Sequence, residues 1–180
     1  MKLSLEGLKN KGEWEAAGIA LPGYDVENAA KKAQAAPRWA HLGIGNIFRI
    51  FIGSIADGLL KNGELDTALT CVETFDYDVV DKIYRPFDNL GLSVVLNTDG
   101  TRGYKVLGAF GEAVKAQSTD PEQWNRLKEI FVSPSLQLVS FTITEKGYAV
   151  NAAVKEDMGR APGEAQTLLG ALAACCLARF

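Results

Sequence analysis

Residues 41–53 read HLGIGNIFRIFIG, where two spaced glycines separate an apolar run from a helical one. The run that leads into them, RWAHLG at residues 38–43, predicts a short strand. Beyond them, apolar residues recur at helical spacing, which predicts an amphipathic helix from Asn46 to about Lys61. The residues that set this period are Ile47, Ile50, Phe51, Ile55, Leu59 and Leu60.

The two glycines, Gly43 and Gly45, begin the pattern G-x-G-x-x-F, in which Phe48 replaces the third glycine of the dinucleotide fingerprint. The first glycine of that fingerprint permits a tight turn out of the strand, and the second lets the backbone approach a pyrophosphate. The free N–H groups and the positive end of the following helix then hold the phosphate. The stretch therefore predicts a dinucleotide loop, with apolar packing alone as the alternative.

An acidic residue follows the next apolar, β-branched run, TALTCV at residues 67–72. NAD-binding folds place a carboxylate at the end of the second strand, where it binds the ribose 2′-OH and repels the extra phosphate of NADP. Glu73 is the first candidate for this role. Asp76 is the second, because an acid beside a helix start also serves as an N-cap. The sequence thus favours NAD over NADP.

Strand and helix patterns alternate along the rest of the chain. Helical patterns cover residues 77–84, a stretch that begins at 119–122, and residues 163–180; strand patterns flank the turn NTDG at 97–100 and cover 136–143. This alternation predicts an α/β, Rossmann-like nucleotide-binding fold with a mostly parallel sheet, helices on both faces and one hairpin-like strand pair. We expect residues 1–36 to form an N-terminal arm and residues 37–180 the dinucleotide-binding domain.

The composition excludes several classes of protein. The 180 residues are 47% hydrophobic with a formal net charge of -3, which suits one compact domain and argues against a nucleic-acid partner. The chain has no apolar run of membrane-spanning length and no signal peptide pattern, so the predicted location is the cytoplasm. A single histidine and three cysteines without CxxC spacing predict no metal site and buried, reduced thiols.

Three longer stretches carry a resemblance to a known family. They are PRWAHLGIGNIFR at residues 37–49, VETFDYDVVDKIY with PFDN behind it at residues 72–89, and LVSFTITEKGY at residues 138–148. On these stretches the chain resembles the N-terminal domain of the polyol-specific long-chain dehydrogenases, the mannitol dehydrogenase family. This family includes mannitol dehydrogenases and fructuronate reductase, and the likeness spans nearly all of the first 150 residues.

The resemblance implies a cofactor site for NAD, with NADP less favoured. It implies that the phosphate loop consists of Gly43, Gly45, Asn46, Ile47, Phe48 and Arg49, and that Glu73 is the acid that selects the cofactor. It also implies that Thr144, Glu145 and Lys146 line the cleft near the nicotinamide. The alternative for these three residues is a turn at the strand end in which Gly147 supplies a positive φ.

The resemblance also implies a reaction, namely reversible hydride transfer between a sugar alcohol or hexonate and the corresponding keto-sugar. In the family a Lys takes the hydroxyl proton, within a KxxxxNxxH spacing in an all-helical C-terminal domain, and this chain contains no such spacing. We therefore expect no catalytic residue here, an inactive chain on its own, and a helical domain beyond it. The lone His41 is expected to be a packed strand residue rather than a proton donor.

The expected partners are a polyol or sugar-acid substrate, the helical domain, and a second molecule associated through the apolar C-terminal helix. A stand-alone nicotinamide-nucleotide sensor or regulatory module without catalysis is the alternative function. A P-loop phosphotransferase is excluded because the chain has no GxxxxGK[ST].

Overall fold

The computed structural model describes residues 1–180, except for the side chain of Lys146. Its main sheet has four parallel strands in the order β6-β3-β2-β7. These strands are β2 (Trp39–Leu42), β3 (Leu69–Glu73), β6 (Phe110–Lys115) and β7 (Leu138–Phe141). Counted along the chain within this sheet, the order is the 3-2-1-4 of a Rossmann fold. The order reverses between β2 and β7, which creates a crevice outside their carboxyl ends.

A second sheet has three strands in the order β1-β5-β4. Its strands are β1 (Ile19–Ala20), β4 (Gly91–Leu96) and β5 (Arg102–Leu107). The antiparallel pair β4 and β5 is the predicted hairpin, and its turn is closed by the Asn97 N–H, which donates to the Thr101 carbonyl at 3.0 Å. The short β1, which pairs in parallel with β5, was not predicted.

The helices that connect these strands follow most of the predicted positions. They are α1 (Leu5–Leu8), α2 (Lys11–Ala16), α3 (Val26–Ala35), α4 (Gly53–Lys61), α5 (Pro121–Val132), α6 (Ala152–Asp157) and α7 (Leu168–Arg179). A π-helical turn, Phe48–Ile52, runs directly into α4, and a second π-helical segment, Val80–Tyr84, follows β3. Among the described residues, none of the helices has the length and apolar content needed to cross a membrane.

Both faces of the main sheet are covered by helices, as predicted. Alternate residues of β3 point to opposite sides, so that Cys71 belongs to one core and Val72 to the other. The first core is completed by side chains such as Phe48 and Tyr84, and the second by side chains of α5 and α7 such as Ile130. The parallel sheet is therefore shielded on both sides.

Most of the apolar stripe predicted for the helix after the glycine loop is exposed, although its last member, Leu60, is buried. Ile47, Ile50 and Phe51 are 70%, 54% and 62% exposed, whereas Phe48 is fully buried. A Cβ added at Gly53 would lie 2.5 Å from the Phe110 ring, so the absence of a side chain there allows the helix to approach the sheet closely. The helix is where the sequence predicted it, but its buried face combines Phe48 and Leu60 with the small residues Gly53 and Ala56.

Strand β6 was not predicted, because its sequence FGEAVK lacks the β-branched, alternating pattern of a strand. The partly buried Glu112 in this strand accepts a bidentate hydrogen bond from Arg126 on α5, at 2.9 and 2.8 Å. The expectation of three buried thiols was wrong for one cysteine. Cys71 and Cys175 are buried, but Cys176 is exposed on the outer side of α7.

Tyr24, which precedes α3, is joined to the rest of the chain by a buried carboxylate. Asp57 on α4 is fully buried, and its Oδ1 accepts hydrogen bonds from the Tyr24 hydroxyl at 2.6 Å and the Gly108 N–H at 3.1 Å. The Lys105 ammonium of β5 lies 2.6 Å from Oδ2. Burial raises the pKa of Tyr24 far above its ordinary value, so the hydroxyl remains a donor. The Asp57 side chain thus joins the segment before α3, helix α4 and the β4–β5 hairpin.

Candidate functional site

The loop after β2 makes the tight turn that the sequence predicted. Gly43 has a φ of +86°, a left-handed conformation that glycine adopts without a steric penalty. Its N–H donates to the Val72 carbonyl at 2.9 Å, which holds the turn against β3. A Cβ at this position would lie 2.4 Å from the carbonyl oxygen of Thr142. Gly43 is therefore required both by its backbone conformation and by the close approach of the segment after β7.

Gly45 is exposed, and a Cβ added there would meet no atom within 4 Å. The protein itself therefore does not require glycine at this position, whereas a pyrophosphate that approaches the backbone would. Asn46 and Ile47 follow at the first turn of the helix, both exposed, where the backbone N–H groups have no partners within the helix.

Arg49 lies one turn into the helix, with its guanidinium carbon 5.9 Å from the centre of the Tyr84 ring. Its Nη2 donates to Oδ1 of Asn46, and its Nη1 is buried without a hydrogen-bond partner among the described residues. A buried guanidinium N–H that lacks an acceptor is costly, and a phosphate oxygen is a strong acceptor for it.

Phe48, in the place of the third glycine, belongs to the core. It is fully buried, stacks on the His41 ring at 4.3 Å and tilts onto the Phe110 ring at 5.5 Å. Ile44 is likewise buried, and its carbonyl accepts a hydrogen bond from the Tyr84 hydroxyl at 2.9 Å. These contacts fix the loop from beneath and leave its outer side free.

Glu73 ends β3 and is 6% exposed. Its Oε1 accepts hydrogen bonds from the backbone N–H groups of Thr74 at 2.9 Å and Phe75 at 3.0 Å. Its Oε2 faces the Ile44 N–H of the glycine loop at 3.4 Å. The carboxylate therefore links the loops that follow β2 and β3, and Oε2 is the oxygen with room for a further donor.

The loop after Glu73 is acidic. Asp76 and Asp78 follow within five residues. Lys82 lies 2.6 Å from Asp78, and Lys115 lies 2.6 Å from Asp81. The hydrogen bond from Lys115 lowers the pKa of Asp81, so this carboxylate remains ionised. Glu73 and Asp76, by contrast, lie in no ion pair among the described residues.

Thr142 is the residue of the β7 end that touches the glycine loop, and sequence analysis missed it because it falls within the predicted strand. Its N–H donates to the Leu42 carbonyl at 3.1 Å and its hydroxyl donates to the Gly43 carbonyl at 2.9 Å. Thr144 and Glu145 are exposed beyond it. The side chain of Lys146 lies outside what the structure describes.

The proposed positive φ of Gly147 was wrong. Glu145–Tyr148 form a 3-10 turn, in which the Gly147 N–H donates to the Thr144 carbonyl at 2.8 Å. Among the glycines, the positive φ values belong to Gly18, Gly43, Gly63 and Gly100. Gly147 is small for another reason, since a Cβ there would lie 3.1 Å from the Ile143 side chain.

His41 is a packed strand residue, as expected. It is 1% exposed, its Nδ1 lies 2.7 Å from the Ser140 hydroxyl and its Nε2 lies 3.1 Å from the Thr142 hydroxyl. The indole N–H of Trp39 donates to the same serine hydroxyl at 2.7 Å. Because the Thr142 proton goes to the Gly43 carbonyl, Nε2 of His41 donates to the Thr142 oxygen. Burial lowers the pKa of His41 to about 4, so the imidazole is neutral and its Nδ1 accepts from the Ser140 hydroxyl. The hydrogen-bonded chain from Trp39 to the Gly43 carbonyl thus contains a neutral imidazole.

Comparison with known proteins gives relatives of one kind. The chain is 40% identical over 187 residues to a D-mannonate oxidoreductase of Thermotoga maritima, a match that covers 100% of this chain and 34% of that protein. It is 29% identical over 167 residues to a polyol:NADP oxidoreductase of Gluconobacter oxydans, which covers 86% and 32% of the two chains. The chain belongs to the mannitol dehydrogenase family. No protein-family model matches it.

Solved structures of the mannitol dehydrogenase family share this fold. A substrate-free D-sorbitol dehydrogenase superposes with a TM-score of 0.74 at 27% identity, over 91% of this chain and 34% of that one. The mannitol 2-dehydrogenase of Pseudomonas fluorescens, solved with NAD and D-mannitol, gives 0.80 at 23% identity, over 99% and 36%. The chain thus spans about a third of these relatives and corresponds to their N-terminal domain.

Proposed function

We propose that this chain is the dinucleotide-binding part of an NAD-dependent oxidoreductase that transfers hydride between a sugar alcohol or hexonate and the corresponding keto-sugar. The observation that carries the proposal is the glycine loop at the crevice between β2 and β7, where Gly43 makes the turn and the outer side of Gly45 is open. In doubly wound folds, ligands bind at this reversal of strand order. The names of the relatives, a D-mannonate and a polyol oxidoreductase, support the same substrate class.

Within this proposal the cofactor would lie across the carboxyl ends of the strands. The pyrophosphate would contact the backbone between Gly45 and Ile47 and the free Nη1 of Arg49. The adenosine ribose would donate to Oε2 of Glu73, and the exposed Thr144 and Glu145 would lie on the nicotinamide side. NAD supplies the hydride acceptor in such a site, and these residues bind and orient it.

The proposed preference is for NAD, although one relative is named for NADP. The carboxylates of Glu73 and Asp76 would repel a 2′-phosphate. Lys82 and Lys115 are already held in ion pairs by Asp78 and Asp81. Substrate and catalytic base are proposed to belong to a helical domain outside this chain. The division into an arm (residues 1–36) and a dinucleotide domain (37–180), and the cytoplasmic location, stay predictions from the sequence.

The test is calorimetric titration of the chain with NADH, using two matched alanine variants. Neither Gly45→Ala nor Gly58→Ala places a Cβ within 4 Å of another atom, so both should fold like the wild type. Gly45→Ala should weaken NADH binding by about tenfold or more, because its methyl group would occupy the space of the pyrophosphate. Gly58→Ala, 13 residues further along the chain, should leave binding unchanged.

Selectivity is tested with NADPH and Glu73→Gln. Alanine is unsuitable at this position, because Oε1 also holds the loop after β3. Glutamine keeps a carbonyl oxygen for those N–H groups and removes the negative charge, so NADPH binding should improve relative to NADH. Equal binding of NADH to Gly45→Ala and to the wild type would contradict the proposed loop, and an unchanged NADPH:NADH ratio in Glu73→Gln would contradict the role of the acid.

A further inference from the structure

Phe75 is 93% exposed, although it lies within a well-formed loop. The loop folds around the Glu73 carboxylate, and the Phe75 N–H donates to Oε1 at 3.0 Å. Its backbone is therefore held in place while its ring stands in solvent. The ring packs against little of the chain itself, so its face is available to a ligand bound beside this loop.

The position of the ring relative to the glycine loop defines the partner. Oε1 of Glu73 binds the Phe75 N–H, and Oε2 of the same carboxylate faces the Ile44 N–H at 3.4 Å. One carboxylate therefore spans the distance between the glycine loop and the residue that carries the free ring. A group bound at Oε2 would therefore be separated from the Phe75 backbone N–H by the width of one carboxylate.

The chemistry of a ribose determines what comes next to that group. The 2′-OH is attached to the carbon adjacent to the one that bears the base, so a ribose held at Oε2 brings its base to the same side of the crevice. Adenine is flat and uncharged, and it stacks on aromatic rings without needing a specific hydrogen-bonding pattern. The carboxylate of Asp76, the residue after Phe75, disfavours an anionic partner for the ring.

We infer that Phe75 is the stacking platform for the adenine ring of the dinucleotide, and thus a residue that determines affinity for the adenylate half of the cofactor. This inference rests on the proposed function, because it uses the ribose position at Glu73. It adds a contact outside the glycine fingerprint and the selectivity acid.

The test compares ligands that contain adenine with one that does not. NADH, ADP-ribose and reduced nicotinamide mononucleotide are titrated into the wild type, Phe75→Ala and Phe75→Trp. Phe75→Ala should weaken NADH and ADP-ribose by about 5- to 150-fold, the range expected for one base stacked on an aromatic ring. Binding of the mononucleotide should not change, and Phe75→Trp should restore the affinity for NADH.

Phe180→Ala is the matched control, because Phe180 is also fully exposed. The adjacent Arg179 donates to the carbonyls of Phe131 and Leu136, which precede β7. Phe180 therefore lies near the amino end of β7, whereas the crevice lies outside the carboxyl ends of the strands. This control should bind all three ligands like the wild type. All variants should keep the wild-type thermal unfolding midpoint, since neither ring is packed.

The outcomes separate the inference from the proposed function. If the wild type binds NADH and Phe75→Ala binds it equally well, or loses NADH and mononucleotide affinity to the same extent, the stacking role is overturned and the dinucleotide site stands. If the wild type binds neither NADH nor ADP-ribose, the dinucleotide site itself is refuted, and the inference with it.

Discussion

The buried imidazole of His41 predicts a specific loss of stability in acid. Burial lowers its pKa in the native state from an ordinary value of 6.5 to about 4. Between these two values the unfolded chain binds a proton that the native chain does not, so the free energy of unfolding must fall as the pH falls through this window. For one such group, the loss between pH 7 and pH 5 is about 2 kcal/mol.

The measurement is urea denaturation at pH 7 and pH 5 of the wild type and of His41→Gln. Many carboxylates also titrate, but they are common to both proteins and cancel in the comparison. Glutamine cannot take up the proton, so the variant should lose about 2 kcal/mol less than the wild type on acidification. If both proteins lose the same free energy of unfolding, the imidazole is not buried in its neutral form. The chain of hydrogen bonds that runs from Trp39 through His41 to the Gly43 carbonyl would then be wrong.

Three further predictions concern the framework of the site. Gly43→Ala should lower the free energy of unfolding, measured by chemical denaturation, by about 2 kcal/mol or more, because it combines a positive φ with a clash against the Thr142 carbonyl. The control Gly45→Ala should unfold like the wild type. Asp57→Ala should lower the free energy of unfolding by about 3 kcal/mol, because it leaves the Tyr24 hydroxyl and the Gly108 N–H without an acceptor. A variant that unfolds at the wild-type temperature would contradict this. Cys176 should react rapidly with a thiol reagent in the native protein, and the other two thiols only after unfolding.

The local features of the site could be predicted from the sequence because each depends on neighbouring residues. The turn at Gly43 and the acid at Glu73 follow from residue type and from position at a strand end. The contact between the glycine loop and the segment after β7 could not be predicted in this way, because it depends on sheet register. His41 pairs with Ser140 across β2 and β7, 99 residues apart in the chain, and this register brings Thr142 onto the glycine loop.

The orientation of the helix after the glycine loop shows a second limit of pattern analysis. Apolar residues lie on both of its sides, so a helical period exists for the exposed stripe (Ile47, Ile50, Phe51) as well as for the buried one. What decides between them is volume. The side that carries Gly53 and Ala56 can approach the sheet so closely that a single Cβ at residue 53 would collide with the Phe110 ring. If the exposed stripe faced the sheet instead, its larger side chains would hold the helix further away. The turn at Gly43 would then no longer bring the first N–H groups of the helix to the crevice. The position of the phosphate loop thus depends on the smallest residues of the helix, which contribute least to a hydrophobic pattern.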